Sequence, residues 1–560
     1  MLLEELLHFF IIPFILGIIG GMAAYGFRWL IKAFETLYIH LDFIHRDTFY
    51  LISMPLLFWG SHFLVSKYLR DHTNVTIDEV AKKISMMSGK FSFLKGLFVL
   101  FLTSLSIGFG VPIGREGPIA KLGGLLSEIF LLGVKVQRVN LPIYLSAGVS
   151  ASIAATFNAP IAGIIFGIEI IIGRINTYII VPLIVATATA TLFAREFIGD
   201  YTAFYVPPLS YDQSYYPYFP VAGIFFAFLT FLLTRSFNRF QKLRRRHWKR
   251  WPYVVVVLGF LVGALIVFEP EIQGVGYDYV SELYGDVFRE SNVFAIMLAK
   301  VVGLILSIGS GIFGGLMSPS IFIGSFGGYW LGDLFAQYGG HFDPRVFALV
   351  GSAAMLAGVT RAPLRSTIII AELTHSYQLL LPILITTAVT AYLVSKTVSG
   401  SYFKRSLLQK GIDIENKNVE AFLDNCTLKG MVEKVPPLHP NTSLNRIGKI
   451  FRRSRTNYLA VVDDSQKLIG VISLRDVRKS SLLKKKKLTV ADLMSPQPFA
   501  IHEGHKKEDL YKALSMLNAG HIPYVTEDNT YIGMLNMAKF LKELTLHQQS
   551  VELRDKIINL

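Results

Sequence analysis

Up to about residue 400 the chain keeps returning to apolar runs long enough to span or dip into a bilayer, among them 9–24, 94–107, 177–193, 221–233, 253–267 and 380–394. Hydrocarbon offers the backbone no hydrogen-bond partner, so such runs must close their own bonds as α-helices. Charged residues make up only 17% of the 560, against about a quarter in a soluble globular chain. After about Ser401 the sequence turns polar. The fold expected is an all-α polytopic membrane domain over 1–412, a linker at 413–426, and an α/β module behind it.

The net charge of +15 would suggest nucleic acid in a soluble protein. Here its densest run, "RSFNRFQKLRRRHWKR" (235–250), lies between two apolar segments, where the positive-inside rule puts cytosol. Residues 201–219 carry six tyrosines and no Lys or Arg, as an outward-facing loop would. The charge is therefore read as topological, with the lipid bilayer as partner and no nucleic acid. A single cysteine, Cys426, excludes an intrachain disulfide framework and fits a reducing compartment for the tail. The first residues, "MLLEELLHFF", lack the basic start of a signal peptide. Short loops and a Lys/Ile-rich composition fit a bacterial inner membrane, with the tail cytoplasmic.

Both parts of the chain repeat internally. "FNAPIAGIIFGIE" (157–169) is echoed by "TRAPLRSTIIIAE" (360–372), each with Ala-Pro, an apolar run and a glutamate nine residues after the proline. "GREGP" (114–118) precedes the first copy and "GGLMSP" (314–319) the second, at nearly equal distances. Paired, broken apolar segments in two halves point to a transporter site at the repeat interface. In the tail, "NYLAVVDDSQKLIGVISLRDV" (457–477) matches "GHIPYVTEDNTYIGMLNMAKF" (520–540) in register, each a strand, turn, strand and helix.

A helix that starts inside the membrane presents unpaired N–H groups and the positive pole of its dipole, which suit an anion. Glycines in "VPIGREGP" and "GSGIFGGLMSP" allow close backbone approach, and proline suits a first helical turn. Several such starts could hold a small anion without a buried lysine, which would bind it too tightly to let it pass. Glu116 would then compete with the anion for one seat, and by taking a proton and swinging aside would act as a gate. Gly309, Gly311 and Gly314 spell a dinucleotide fingerprint but lack its β-α-β setting. No nucleophile–base set or metal-ligand cluster stands out in the apolar half, so no enzyme is expected and no cofactor is required. A divalent-cation transporter would need acidic rings, and the acids of the apolar runs, Glu169 and Glu372, end helices singly.

These residues resemble the CLC family of chloride channels and chloride/proton exchangers. "GREGP" and "FNAPIAG" match its distinctive motifs, and "GGLMSP" matches a third more loosely, with Met317 where phenylalanine is usual. The resemblance implies an inverted-repeat helical domain working as a homodimer, with one chloride pathway per subunit. It makes Glu116 the gating and proton glutamate, and puts Gly114, Arg115, Gly117, Leu316 and Met317 around the anion. The family's first anion motif falls about forty residues before Glu116, where "TNVTIDEV" leaves Val75 or a neighbour in place of a pore serine. The pore tyrosine falls at Tyr402, although spacing favours Phe403. Ile170 stands where exchangers of bacterial type carry an internal proton glutamate, Glu169 falling one place early. That tilts the reading toward a voltage- or pH-gated chloride channel, with a proton-coupled chloride, fluoride or nitrate antiporter as the alternative. The tail resembles a tandem CBS pair, at 427–484 and 485–546 with 547–560 beyond. Such pairs bind adenine nucleotides (ATP, ADP or AMP) or serve as dimerising modules. Ser473 and Asp476 fit the ribose-binding pattern in the first copy, while Lys539 replaces the aspartate in the second.

Overall fold

Glycine and proline decide where the apolar runs become helix and where they break. The computed structural model describes residues 5–39, 45–68, 93–134, 136, 141–168, 177–197, 199, 204–285, 287–288, 292–338 and 342–397, and in the remainder 428–443, 447, 450–451, 456–474, 476–477, 489–496, 498–505, 509–510 and 520–543. The chain divides into two compact units, Met1–Ser406 and Leu407–Leu560.

In the first unit the helices are α1 (Ile12–Ile39), α2 (Arg46–Tyr68), α3 (Phe93–Gly108), α4 (Glu116–Val134), α5 (Leu141–Phe157), α6 (Pro160–Phe166), α7 (Thr177–Phe197), α8 (Tyr218–Arg246), α9 (Trp251–Phe268), α10 (Tyr277–Tyr284), α11 (Val293–Ser310), α12 (Met317–Gln337), α13 (Pro344–Thr360), α14 (Pro363–Thr374) and α15 (Leu380–Thr397). Among the described residues, eight helical stretches are long and apolar enough to cross a membrane.

The helices fall into two sets with one packing scheme. In the first, α5 packs on α1, α4, α6 and α7; in the second, α13 packs on α8, α12, α14 and α15. Elements meet across the two sets as α2 with α9 and α6 with α14. The two Ala-Pro breaks have the same backbone. Asn158 and Arg361 sit left-handed at φ 53° and 56°, followed by Ala159 at φ −134°, ψ 86° and Ala362 at φ −129°, ψ 81°. A left-handed residue ends one helix, and the proline is free to start the next without an N–H to satisfy.

Close approach is what glycine contributes on α12. Gly324, Gly328 and Gly332, four residues apart, face the backbone of Gly351, Phe347 and Pro344 on α13. In lipid, where apolar side chains gain little by meeting one another, such small-residue seams supply the packing. Several buried hydroxyls are satisfied by donating to the carbonyl one turn back in their own helix: Thr103 to Val99, Thr191 to Thr187, Ser320 to Leu316 and Thr390 to Thr386.

The second unit repeats a hairpin. β2 (Tyr458–Val462) pairs antiparallel with β3 (Leu468–Ser473), as β6 (His521–Val525) does with β7 (Tyr531–Asn536), and each hairpin is irregular at its last pair. Both turns hold a left-handed residue, Gln466 at φ 60° and Asn529 at φ 65°. The turns bond each other, Leu468 N–H to Asn529 O and Tyr531 N–H to Gln466 O, both at 3.0 Å. β4 (Ser495–Pro496) extends the first sheet; β1 (Val432–Glu433) and β5 (Ile501–His502) flank the second, in order β1-β7-β6-β5. Glu433 ties β1 down by accepting from Asn536 Nδ2 at 2.9 Å and from Lys539 Nζ at 3.0 Å.

Gly328→Leu should force α12 from α13 and cost about 3 kcal/mol, whereas Gly133→Ala, which meets open space, should change little; thermal unfolding in detergent compares them. The bonds from Asn536 and then Lys539 hold the Glu433 carboxyl below its usual value of 4.5. Its stabilising contribution is thus present above that value and lost as pH falls through the lower folded-state value. Amide protection of the β1–β7 ladder in the full-length protein, corrected for intrinsic exchange, should fall between about pH 6 and about pH 3, and fall less in Glu433→Gln.

Candidate functional site

The same short device is built twice. α3 ends in a left-handed glycine, Gly110 at φ 93°, and α11 in another, Gly311 at φ 106°. Each is followed by a few non-helical residues and, four positions on, by Gly114 or Gly315. These two glycines bond each other in an antiparallel bridge, Gly114 N–H to Gly315 O at 2.9 Å and Gly315 N–H to Gly114 O at 2.6 Å. α4 and α12 begin immediately after them, so two helix N-termini open side by side within the apolar unit.

Glu116, the first residue of α4, is fully buried. Its side chain reaches across to the start of α12, where Oε1 accepts from the Ser318 backbone N–H at 3.0 Å and from the Ser318 hydroxyl. Its Oε2 is buried and has no hydrogen-bond partner among the described residues. A Cβ on Gly114 or Gly315 would run into that oxygen, which explains both glycines. A carboxylate only accepts, so the Ser318 proton points to Glu116, and the Tyr277 hydroxyl, 2.9 Å away, donates to Ser318. The Arg115 guanidinium lies over the Tyr277 ring, 5.4 Å from its centre, instead of pairing with Glu116. Arg115 and Tyr277 line a cavity of about 870 Å³ together with Arg28, Lys32, Glu35 and Asp278.

Some readings from sequence need correction. The Gly114 N–H is spent on Gly315, so its amide is not offered to an anion. Leu316 caps α12 and Met317 is its first residue, and Gly117 follows Glu116 as a buried residue of α4. Yet the donors that hold the carboxylate belong to Ser318, which motif reading passed over; its signal was a hydroxyl in the first turn of a broken helix. Glu372 does more than end a helix. Its carboxylate accepts from the N–H groups of Ile161, at 2.9 Å, and Ala162, at 2.6 Å, capping α6 of the other half. Val75, Tyr402, Phe403, Glu169 and Ile170 lie outside the described residues.

In the second unit Ser473 and Asp476 form a reciprocal cap. The Ser473 N–H and hydroxyl donate to Asp476 Oδ2 at 3.1 and 2.5 Å, and the Asp476 N–H donates to the Ser473 hydroxyl at 3.2 Å. In the second copy Asn536 caps Ala538 and Lys539, and Lys539 is drawn to Glu433.

Comparison with known proteins gives a consistent assignment. Residues 56–396 match the family model described as voltage gated chloride channel, and 427–482 and 490–546 match the CBS domain. A protein of Ralstonia nicotianae named as a ClcB-like chloride channel protein is 31% identical over 320 residues, 55% of this chain and 73% of its own length. The H(+)/Cl(-) exchange transporter ClcA of Vibrio cholerae is 26% identical over 407 residues, 70% of this chain and 83% of its own. Among solved structures, a eukaryotic CLC transporter shares the fold over 96% of this chain and 98% of its own, with a TM-score of 0.71 at 19% identity. A slow cyanobacterial Cl-/H+ antiporter covers 73% of this chain and 99% of its own, with a TM-score of 0.65 at 21% identity. The chain belongs to the CLC family of membrane anion transporters, which are not enzymes, and carries a pair of CBS domains.

Proposed function

We propose that this protein exchanges chloride, or a similar small anion, for protons, with Glu116 as both gate and proton carrier. The observation that carries the reading is the seat of Glu116: its carboxylate occupies the amide and hydroxyl of Ser318 at the start of α12, a place that suits any small anion. Two charge-assisted hydrogen bonds hold it there only while it is ionised. Oε1 is engaged and Oε2 has no partner among the described residues, so Oε2 is the oxygen left to take a proton. The neutral acid then holds the helix start weakly, and an anion takes its place. Return of the carboxylate expels the anion and releases the proton, which couples the two.

The choice of exchanger over channel leans on relatives named as H(+)/Cl(-) exchange transporters in Vibrio cholerae and Klebsiella pneumoniae. A solved structure of the same fold, with a TM-score of 0.60, is titled a fluoride/proton antiporter, so fluoride belongs in the substrate test. The working form is a homodimer with one pathway in each subunit. The CBS pair faces the cytosol of a bacterial inner membrane, in keeping with the basic run at 235–250. Within the cap both Ser473 donors go to Asp476 Oδ2, which leaves Oδ1 to accept from a ribose hydroxyl of an adenine nucleotide.

Purified protein in liposomes, with reversal potential measured under a pH gradient, tests the reading. Wild type should shift with pH as coupled protons require. Glu116→Gln should keep passing anion while its proton movement falls at least about tenfold, since the amide cannot carry a proton. Wild-type anion flux with no pH-dependent reversal would instead make the protein a channel.

A further inference from the structure

Lys300 lies in α11 among valine, leucine, alanine and isoleucine, and is 0% exposed. Its Nζ donates to the carbonyl oxygens of Ile272, at 2.7 Å, and Gly274, at 2.9 Å. It also stands 4.5 Å from the centre of the Phe322 ring. Two carbonyls and one negative ring face match the three N–H groups of a protonated amine. Among the described residues no carboxylate pairs with it.

A lone charge inside a membrane domain is costly and calls for a purpose. The surroundings of Lys300 point to one, because two of its contacts, Gly274 and Phe322, lead to the Glu116 site. Gly274, which it holds, bonds back to Gly110 O at 2.9 Å, at the turn that opens the Gly114 segment. The same loop runs through Gly276 into Tyr277, whose hydroxyl meets Ser318. Phe322 is on α12, one turn beyond Ser318.

We infer that Lys300 is a positioning residue: a positive charge held against Phe322, one turn along α12 from Ser318, that sets anion affinity through space. It bonds only to the backbone and the ring, so it raises the potential without becoming a ligand that would trap the anion. The inference rests on the transport reading above.

Chloride dependence of flux in liposomes, split into KM and maximal rate, tests it. Lys300→Gln keeps two donors for the two carbonyls and removes the charge; KM should rise about tenfold while the maximal rate changes far less. Lys300→Arg keeps the charge and should restore KM to near wild type. Should Lys300→Gln fail to fold, Phe322→Glu neutralises the same charge by pairing with it and should raise KM likewise. An unchanged KM in either folded neutralised variant, or an equal rise in Lys300→Arg, would overturn the inference while wild-type transport stands. Wild type that moves no anion would instead fail the transport reading and take this inference with it.

Discussion

Two hydrogen bonds between Gly114 and Gly315 hold the centre of the membrane unit together, and the rest of the site follows from them. The bridge fixes the starts of α4 and α12 against each other. It can form only because neither residue has a side chain, since a Cβ on either would meet the Glu116 carboxylate. It also consumes the amides of both glycines, so the donors left for a negative group come from the next residues along. The left-handed Gly110 and Gly311 set the geometry upstream by ending their helices abruptly enough for the chain to run extended into the bridge.

Buried charges in this unit are handled by backbone as much as by side chains. Glu372 spans two amides at the start of α6 and is thereby fixed. Lys300 is fixed by two carbonyls and a ring. Glu116 has donors on one oxygen alone. Glu372 has donors on both oxygens, whereas Glu116 is held through one oxygen alone. That difference separates Glu116 from Glu372, although both cap helix starts in the opposite half of the repeat.

Much of this was legible in the order of residues. The apolar runs, the two Ala-Pro breaks and the doubled hairpin repeat in register, and periodicity and turn chemistry are local properties that sequence records directly. Glu116 was also legible, because a lone acid between glycines in an apolar stretch has few uses. What sequence did not record was partnership across the fold. Nothing near Gly114 says that its amide is spent on Gly315, and nothing near Glu372 says that it caps α6. Ser318 was hidden for the same reason: a serine in an apolar helix normally bonds its own backbone, as Ser320 does with Leu316 O. Lys300 went unread because its acceptors are carbonyls, which carry no signature in the side chains.

The repeat becomes a mechanism where it stops being symmetric. Counting from the bridge, Glu116 corresponds to Met317 and Gly117 to Ser318. One half therefore brings the acid and no hydroxyl, and the other brings the hydroxyl and no acid. Two acids facing each other over one bridge would repel and leave one of them protonated at all times. Two hydroxyls with no acid would hold an anion but could not be closed by a proton. With one of each, the mechanism proposed above needs no further part: the seat has a single occupant at a time, and protonation of one carboxylate would decide whether that occupant belongs to the protein or to the solution.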